Sequence, residues 1–427
     1  MFALLNAVDF FDKLTKDIKQ GIPRSICSIC SSNKLVIEAA FEEGMRRNEP
    51  VLIEATANQT NQFGGYTGMQ PADFVDYVCK IADSIGFDRD MLILGGDHLG
   101  PLVWSGESEN TSMKKAEDLV AAFASCGFAK IHLDCSMRLA DDDPNVALAV
   151  ETVASRAAQL ADVVEKNAKV KPVYIIGSEV PIPGGATEAE DSLSVTRPVD
   201  LIKEYDAFRD AFIKRGLADA WERVVGIVVQ PGVEFGDDQV FMYDRSNASE
   251  LMATAMKLPH IILEGHSTDY QPEACLKAMR EDGIGVLKVG PALTFAAREA
   301  IFALEKIERE VINSEPDGGY SRFQQTLEQA MLDSPANWIK HYHGNEESLR
   351  LMRGYSLSDR SRYYMEIPTV KQSLTRLIQN INSIDIPIGI LHQYLPIQAD
   401  EIIAQQLKCT AESLIKENIC LCLRSYG

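Results

Sequence analysis

From residue 22 to about residue 310 the chain alternates short apolar runs with amphipathic helical stretches. The strand candidates are 24–30 (RSICSIC), 51–56 (VLIEAT), 91–96 (MLILGG), 130–135 (KIHLDC), 173–178 (VYIIGS), 224–229 (VVGIVV), 260–265 (HIILEG) and 285–290 (GVLKVG). Most are dense in Val, Ile and Leu without strict alternation, as parallel strands covered on both faces are. Helical periodicity fills the gaps at 34–46, 71–85, 112–126, 146–168, 198–215, 247–257, 271–281 and 292–311. Pro71 and the run Asn110-Thr111-Ser112 supply helix starts. Eight strand-then-helix units predict an α/β fold of the (β/α)8 TIM-barrel kind, whose usual size is about 250 residues. A doubly wound sheet is the alternative, but no strand is followed by its G-x-G-x-x-G fingerprint.

Beyond residue 312 the texture changes. SEPDGGY (314–320) reads as a connector, and helical patterns follow at 321–333, 345–353, 369–380 and 398–416, with Pro-containing turns such as NSIDIPIGI (382–390). The expected organisation is a barrel with an N-terminal capping helix over 1–312 and a helical C-terminal extension over 313–427, packing near the barrel mouth.

Composition narrows the function. The chain is 46% hydrophobic and 24% charged, as ordinary globular proteins are. No apolar run approaches the roughly 18–20 residues of a membrane helix. The first residues carry neither a basic leader region nor a small-residue cleavage site, so the protein is expected in the cytoplasm with no membrane partner. A formal net charge of −20 argues against nucleic acid and means that an anionic ligand needs a locally basic pocket. Nine cysteines without regular spacing fit reduced thiols, and the lone C-x-x-C of Cys27 and Cys30 is expected to be structural.

Barrel enzymes place their chemistry at the C-terminal ends of the strands. Here those ends carry Glu54, Asp97 with His98, Asp134, Glu179, Gln230, Glu264 with His266, and Lys288. Carboxylates crowded into one volume repel and are costly to desolvate unless a cation or substrate compensates them. His98 and His266 with Glu179 and Glu264 form a mixed nitrogen and oxygen set suited to zinc, manganese or a similar ion. Glycines in GGDHLG (95–100), GSEVPIPGG (177–185), EGHS (264–267) and KVGP (288–291) let backbone approach a ligand. The loop TANQTNQFGGYTGMQPADF (56–74) offers Asn58, Gln59, Asn61 and Gln62 to sugar hydroxyls. Arg360 and Arg362, beside Tyr363 and Tyr364, are the most concentrated basic spot, and with Lys288 they would grip phosphate. No G-x-x-x-x-G-K-[ST] loop exists, so no nucleotide cofactor is expected.

Taken together, VIEAAFEEG, the 56–74 loop, GGDHLGP, HLDCSM, IGSEVPIPGG, VVQPGVEFG, LEGHSTDYQ, LKVGPALTFA and SDRSRYY resemble the tagatose-1,6-bisphosphate aldolase Z-type subunit family. The match runs in order from about residue 20 to about residue 365. The family label covers a non-catalytic aldolase subunit, a tagatose-6-phosphate kinase and a D-tagatose 6-phosphate 4-epimerase. The chain is more distantly similar to class II aldolases, metal-dependent barrels in which a strand ends in an acid/base Asp followed by a metal-binding His. That similarity implies Asp97 as acid/base, His98 as a ligand, and Ser267 as a phosphate contact. Where the aldolases have further histidines, this chain reads GSEVPIPGG and EGHS, offering Glu179, Glu264 or His266.

The chemistry of a 4-epimerisation favours aldolase-like machinery. The C4 hydrogen of tagatose 6-phosphate is not adjacent to the C2 carbonyl, so its removal gives no stabilised carbanion. A retro-aldol cleavage of C3–C4, rotation of the aldehyde and re-addition inverts C4, using a divalent ion at the carbonyl and a carboxylate on the O4 proton. The resulting expectation is a metal-dependent isomerase interconverting tagatose 6-phosphate and fructose 6-phosphate. Its catalytic residues are Asp97 and Asp134, and His98, Glu179, His266 and Glu264 surround zinc, manganese, magnesium or nickel. Asn58, Gln59, Ser267, Lys288, Arg360 and Arg362 hold the substrate. The alternative is a non-catalytic subunit that stabilises a class II aldolase catalytic subunit. Either way a homo-oligomer is expected.

Overall fold

A computed structural model of the chain describes residues 5–146, 148–177, 193–312, 316 and 318–427. The eight apolar runs become β1 (Ile26–Ile29), β2 (Val51–Thr56), β3 (Leu92–Leu99), β4 (Lys130–Leu133), β5 (Val173–Ile176), β6 (Val224–Val229), β9 (Ile262–Gly265) and β10 (Ile284–Val289). They close as a parallel barrel in the order β1-β10-β9-β6-β5-β4-β3-β2. A two-stranded hairpin, β7 (Glu234–Phe235) with β8 (Val240–Phe241), projects after β6. The predicted (β/α)8 barrel is therefore the fold.

The outer helices are α2 (Lys34–Arg47), α3 (Pro71–Ile85), α4 (Glu109–Cys126), α5 (Val150–Asn167), α6 (Pro198–Lys214), the short α7 (Ala218–Trp221), α8 (Arg245–Ala255), α9 (Glu273–Glu281) and α10 (Pro291–Val311). Their ends follow local chemistry. Asn33 Oδ1 accepts from the amides of Leu35 and Val36 at the start of α2. Pro71 opens α3, and Gly86 closes it at φ +77°, where a side chain would be strained. Helix α1 (Ala7–Lys19) plugs the lower end of the barrel. Its Phe11, Leu14 and Ile18 pack with Ile26, Leu52, Ile93, Val173, Ile262 and Val286 inside the barrel.

The C-terminal extension comprises α11 (Phe323–Asp333), α12 (Glu346–Tyr355), α13 (Pro368–Asn382), α14 (Ile388–Tyr394), α15 (Pro396–Ile403) and α16 (Ala411–Arg424). The single helix expected over 398–416 is thus two helices, broken by a turn at Gln405, whose φ is +59°. Helix α16 packs against both α2 and α10, and Leu414, Ile415 and Ile419 join the same apolar cluster as Ala40 and Ile301. Between α12 and α13 the chain crosses to the barrel mouth. There Ser356 and Ser358 donate to Asp237 Oδ1 at 2.7 and 2.8 Å, and Tyr270 donates to the carbonyl of Leu357.

Candidate functional site

Side chains two apart on a strand share a face, and the row that faces inward changes character as it climbs. Leu52 gives way to Glu54, Ile262 to Glu264 and His266, Val286 to Lys288, and Ile26 to Ser28 and Cys30. The first polar layer is a charge lattice. Lys130 Nζ lies 2.6 Å from Glu54 Oε1 and 2.8 Å from Glu264 Oε2, the second contact being an ion pair without hydrogen-bond alignment. Lys288 Nζ lies 2.8 Å from Glu54 Oε2 and 3.5 Å from Glu264 Oε1, and it also contacts Asp97 Oδ1. Ser28 donates to Glu54 at 2.6 Å. Burial alone would neutralise Lys130, but Glu264 and Glu54 outweigh it and raise its pKa. Burial likewise opposes the ionised form of Glu264, and Lys130 with Lys288 holds it well below the ordinary carboxylate range. Gly95 makes room for this lattice, since a Cβ there would stand 2.3 Å from Glu54 Oε1.

Above the lattice three imidazoles meet. The ring centroids of His98, His132 and His266 are 4.8, 4.9 and 5.3 Å apart, at interplanar angles of 61°, 78° and 85°. Each ring has one nitrogen tied to an acceptor outside the cluster. His98 Nδ1 lies 3.0 Å from Asp134 Oδ2, His132 Nε2 3.0 Å from the Gly177 carbonyl, and His266 Nε2 2.9 Å from Glu264 Oε1. These acceptors place a ring proton there and turn the other nitrogen of each ring toward the cluster. Asp97 completes the set, and one ligand atom from each of the four residues lies within 4.8 Å of all the others. His132 Nδ1 is only 2.9 Å from Asp97 Oδ1 while also accepting the His98 amide at 3.2 Å. A proton fits that gap as a hydrogen bond to Asp97, and two atoms so close also suit adjacent positions around one ion. Burial and the Lys288 charge push the His266 pKa down to about 3, which keeps its ring neutral, as a metal ligand must be. The donor set therefore fits a divalent ion such as zinc, manganese or nickel.

Adjacent residues of a strand normally point to opposite faces, yet Asp97 and His98 serve one site. His98 has φ +48°, and the pairing of β3 with β4 shifts register between Gly96 and Leu99. The left-handed residue swings the imidazole to the side of the carboxylate, a strained conformation of the sort that collects at functional sites.

Asp97, His98 and His266 floor a cavity of about 120 Å³, with His132 buried behind them. Asn58, Gln59 and Tyr66 come from the loop after β2, Ser267 and Asp269 from the loop after β9, and Arg362 and Tyr363 from the extension. Tyr66 and Tyr363 meet edge to face at 4.8 Å, joining loop to extension. Asp269 Oδ1 accepts from the amides of Gly290 at 3.0 Å and Ala292 at 2.8 Å, so a carboxylate already caps the start of α10. Burial raises the pKa of Asp269 to about 6.

Comparison with known proteins follows the same lines. Residues 11–427 match the model of the family described as D-tagatose-1,6-bisphosphate aldolase subunit GatZ/KbaZ-like. The chain belongs to this family. It is 45% identical over 412 residues to the D-tagatose-1,6-bisphosphate aldolase subunit GatZ of Klebsiella pneumoniae subsp. pneumoniae, covering 96% of each chain. Among solved structures it superposes with a TM-score of 0.87 on a probable tagatose 6 phosphate kinase from Sinorhizobium meliloti, at 42% identity, covering 94% of this chain and 99% of that one.

Within this GatZ/KbaZ-like chain the site residues read from sequence fall into three groups. Asp97, His98 and His266 come together with ligand atoms within 4.8 Å of one another, Asn58, Ser267 and Arg362 line the cavity with them, and Lys288 reaches it from the lattice. Glu264 and Asp134 stand one step back, each orienting a histidine. Asp134 is further fixed by Ser136, whose amide and hydroxyl donate at 3.0 and 2.7 Å, and His98 and Ser136 hold its carboxyl far below the ordinary range against the effect of burial. Gln59 is committed to backbone, accepting from Thr56 and donating to Cys30, and Asn61 holds the loop through Ala57, Phe63 and Gly65. Gln62 donates to the Lys115 carbonyl, so three of the four loop amides build or anchor the loop. Lys288 is caged by three carboxylates, a poor position for a phosphate anchor. Arg360 turns away to the Asn337 carbonyl, whereas Arg362 reaches the cavity. Glu179 lies outside the described residues. His132 was missed, although stepping back two residues from Asp134 places it, and Lys130 before it, on the inward face. Cys30, expected to be structural, stands in the site with Sγ 3.6 Å from Asp97 Oδ2.

Proposed function

We propose that this chain acts as a subunit of a tagatose-1,6-bisphosphate aldolase system and binds a divalent metal ion and a ketose phosphate in its own barrel mouth. The GatZ relative supports the first part, being itself named an aldolase subunit at 45% identity. The observation that carries the second is the set of three histidines whose outer nitrogens are all tied back, with one ligand atom of each and of Asp97 gathered within 4.8 Å of the others. In this reading His98, His132, His266 and Asp97 hold the ion, which would polarise the C2 carbonyl of the ketose. Arg362 supplies the fork for the phosphate. Its partners in the structure are the carbonyls of Ser358 and Asp359 and the Tyr363 hydroxyl, all neutral. Asn58 faces the sugar hydroxyls. Nine free thiols support a reducing, cytoplasmic setting. No helix among the described residues is long and apolar enough to cross a membrane. Self-association beside the aldolase partner belongs to the same proposal, and light scattering tests it.

A second reading, 4-epimerisation of tagatose 6-phosphate, is favoured by the same cluster, because a purely stabilising subunit has no need of a finished metal site. Carbon NMR of the purified protein with D-tagatose 6-phosphate, with and without chelator, separates the two. Chelator-sensitive appearance of fructose 6-phosphate establishes the epimerase. Bound metal without turnover, together with a more stable catalytic aldolase on mixing, establishes the subunit. A protein that binds no divalent ion leaves stabilisation of the partner as its role.

A further inference from the structure

Next to the histidine cluster stands a second group with metal-ligand spacing, Cys30, Glu54 and Asp97, one ligand atom from each lying within 4.8 Å of the others. We propose that the Lys288 ammonium is the built-in occupant of this second cation position, so that the barrel mouth takes one divalent ion and cannot take two. The proposal rests on the metal reading of the histidine cluster.

Asp97 belongs to both groups. Its Oδ1 contacts Lys288 Nζ and lies 2.9 Å from His132 Nδ1, while its Oδ2 is 3.8 Å from His98 Nε2 and 3.6 Å from Cys30 Sγ. A carboxylate shared between two cation positions is the arrangement of two-metal sites, in which the ions sit about 3.5–4 Å apart. Here one of the two positions is filled from the strand itself, by Lys288 of β10, with Nζ 2.8 Å from Glu54 Oε2. Cys30 Sγ completes that position at 3.9 Å from the same Glu54 oxygen. A thiol with two carboxylates is attractive to borderline ions such as zinc or cobalt, and the ammonium is the cation that stands among all three, while Ser28 and Lys130 hold Glu54 from its other sides.

The tethered cation has two effects on the proposed chemistry. It cannot dissociate, so the charge beside Asp97 stays the same whatever the supply of metal. It also lines the cavity, so a substrate oxygen that reaches the divalent ion meets a fixed ammonium at the same carboxylate.

The test is a cobalt(II) titration of the full-length apo protein, read by metal analysis after gel filtration and by thiolate-to-cobalt charge-transfer absorption. The wild type should hold one equivalent and show no thiolate band. Lys288→Ala should hold two and show the band, and Cys30→Ser added to Lys288→Ala should remove the band. Two equivalents with a thiolate band in the wild type overturn the proposal without any variant having to fold. One equivalent in a folded Lys288→Ala overturns it while leaving the histidine site standing, and Lys288→Ser gives the same readout should the alanine variant fold poorly. No bound cobalt in the wild type overturns the histidine-site reading and this proposal together.

Discussion

The lower and upper halves of the barrel interior are equally shut off from water and are built on opposite principles. Below, Leu52, Ile93, Val173 and Val286 close on helix α1 with no polar atom among their side chains. Above, the same inward rows carry Glu54, Lys130, Glu264 and Lys288, all at or below 5% exposure. The lower half is held by apolar area removed from water and tolerates exchange of one hydrophobe for another. The upper half is held by partners that are costly to leave alone. The plug tolerates change and the lattice does not, and the lattice exists for what stands on it.

The sharpest way to break this contrast is Lys130→Met, which keeps the volume and removes the charge between Glu54 and Glu264. It should cost about 3–5 kcal/mol in chemical denaturation, since two buried carboxylates lose a partner. Leu52→Ala, one step lower on the same strand, should cost about 2–5 kcal/mol from lost burial and a cavity, and leave metal content unchanged by elemental analysis. If Leu52→Ala empties the metal site, the two halves are not separable. A third test moves to the rim, where burial raises the Glu234 pKa to about 7. A carboxyl raised in the folded state favours folding at low pH, and that stability fades as pH climbs from the unfolded value near 4.3 through 7. Glu234→Gln should therefore gain on wild type by up to about 3 kcal/mol at pH 8 and by little at pH 4. Asp134→Asn is the mildest, leaving the fold intact and lowering metal affinity about 10–100-fold through loss of the His98 partner.

The barrel was legible because parallel strands buried on both faces leave unmistakable Val, Ile and Leu runs, and Pro71 and Gly86 frame α3 by their backbone preferences alone. The cluster was legible in part. His132 lies inside the run KIHLDC, where a polar residue within an apolar stretch reads as interruption unless the period of two is followed down from Asp134. Lys288 invited a phosphate role because sequence shows its charge and not its depth, which brings β2, β3 and β9 carboxylates to it. Arg360 and Arg362 are alike in sequence, and the short helical turn at Arg360–Tyr364 aims only the second at the cavity. The break between α15 and α16 has no glycine or proline to announce it, because Gln405 itself adopts the left-handed conformation.

The seating of α16 has a consequence in time. Helix α2, finished at Arg47, is partnered on one side by residues from Ala411 onward, with Cys420 Sγ 3.5 Å from the Ala39 carbonyl and Lys416 paired to Glu42. At a synthesis rate of about 5–20 residues per second, that side of α2 waits roughly twenty to seventy seconds for its cover. A nascent chain halted anywhere short of Ala411 presents an unfinished apolar seam between the first and last helices of the ring, so the burden on chaperones should track the speed of translation through the second half of the message.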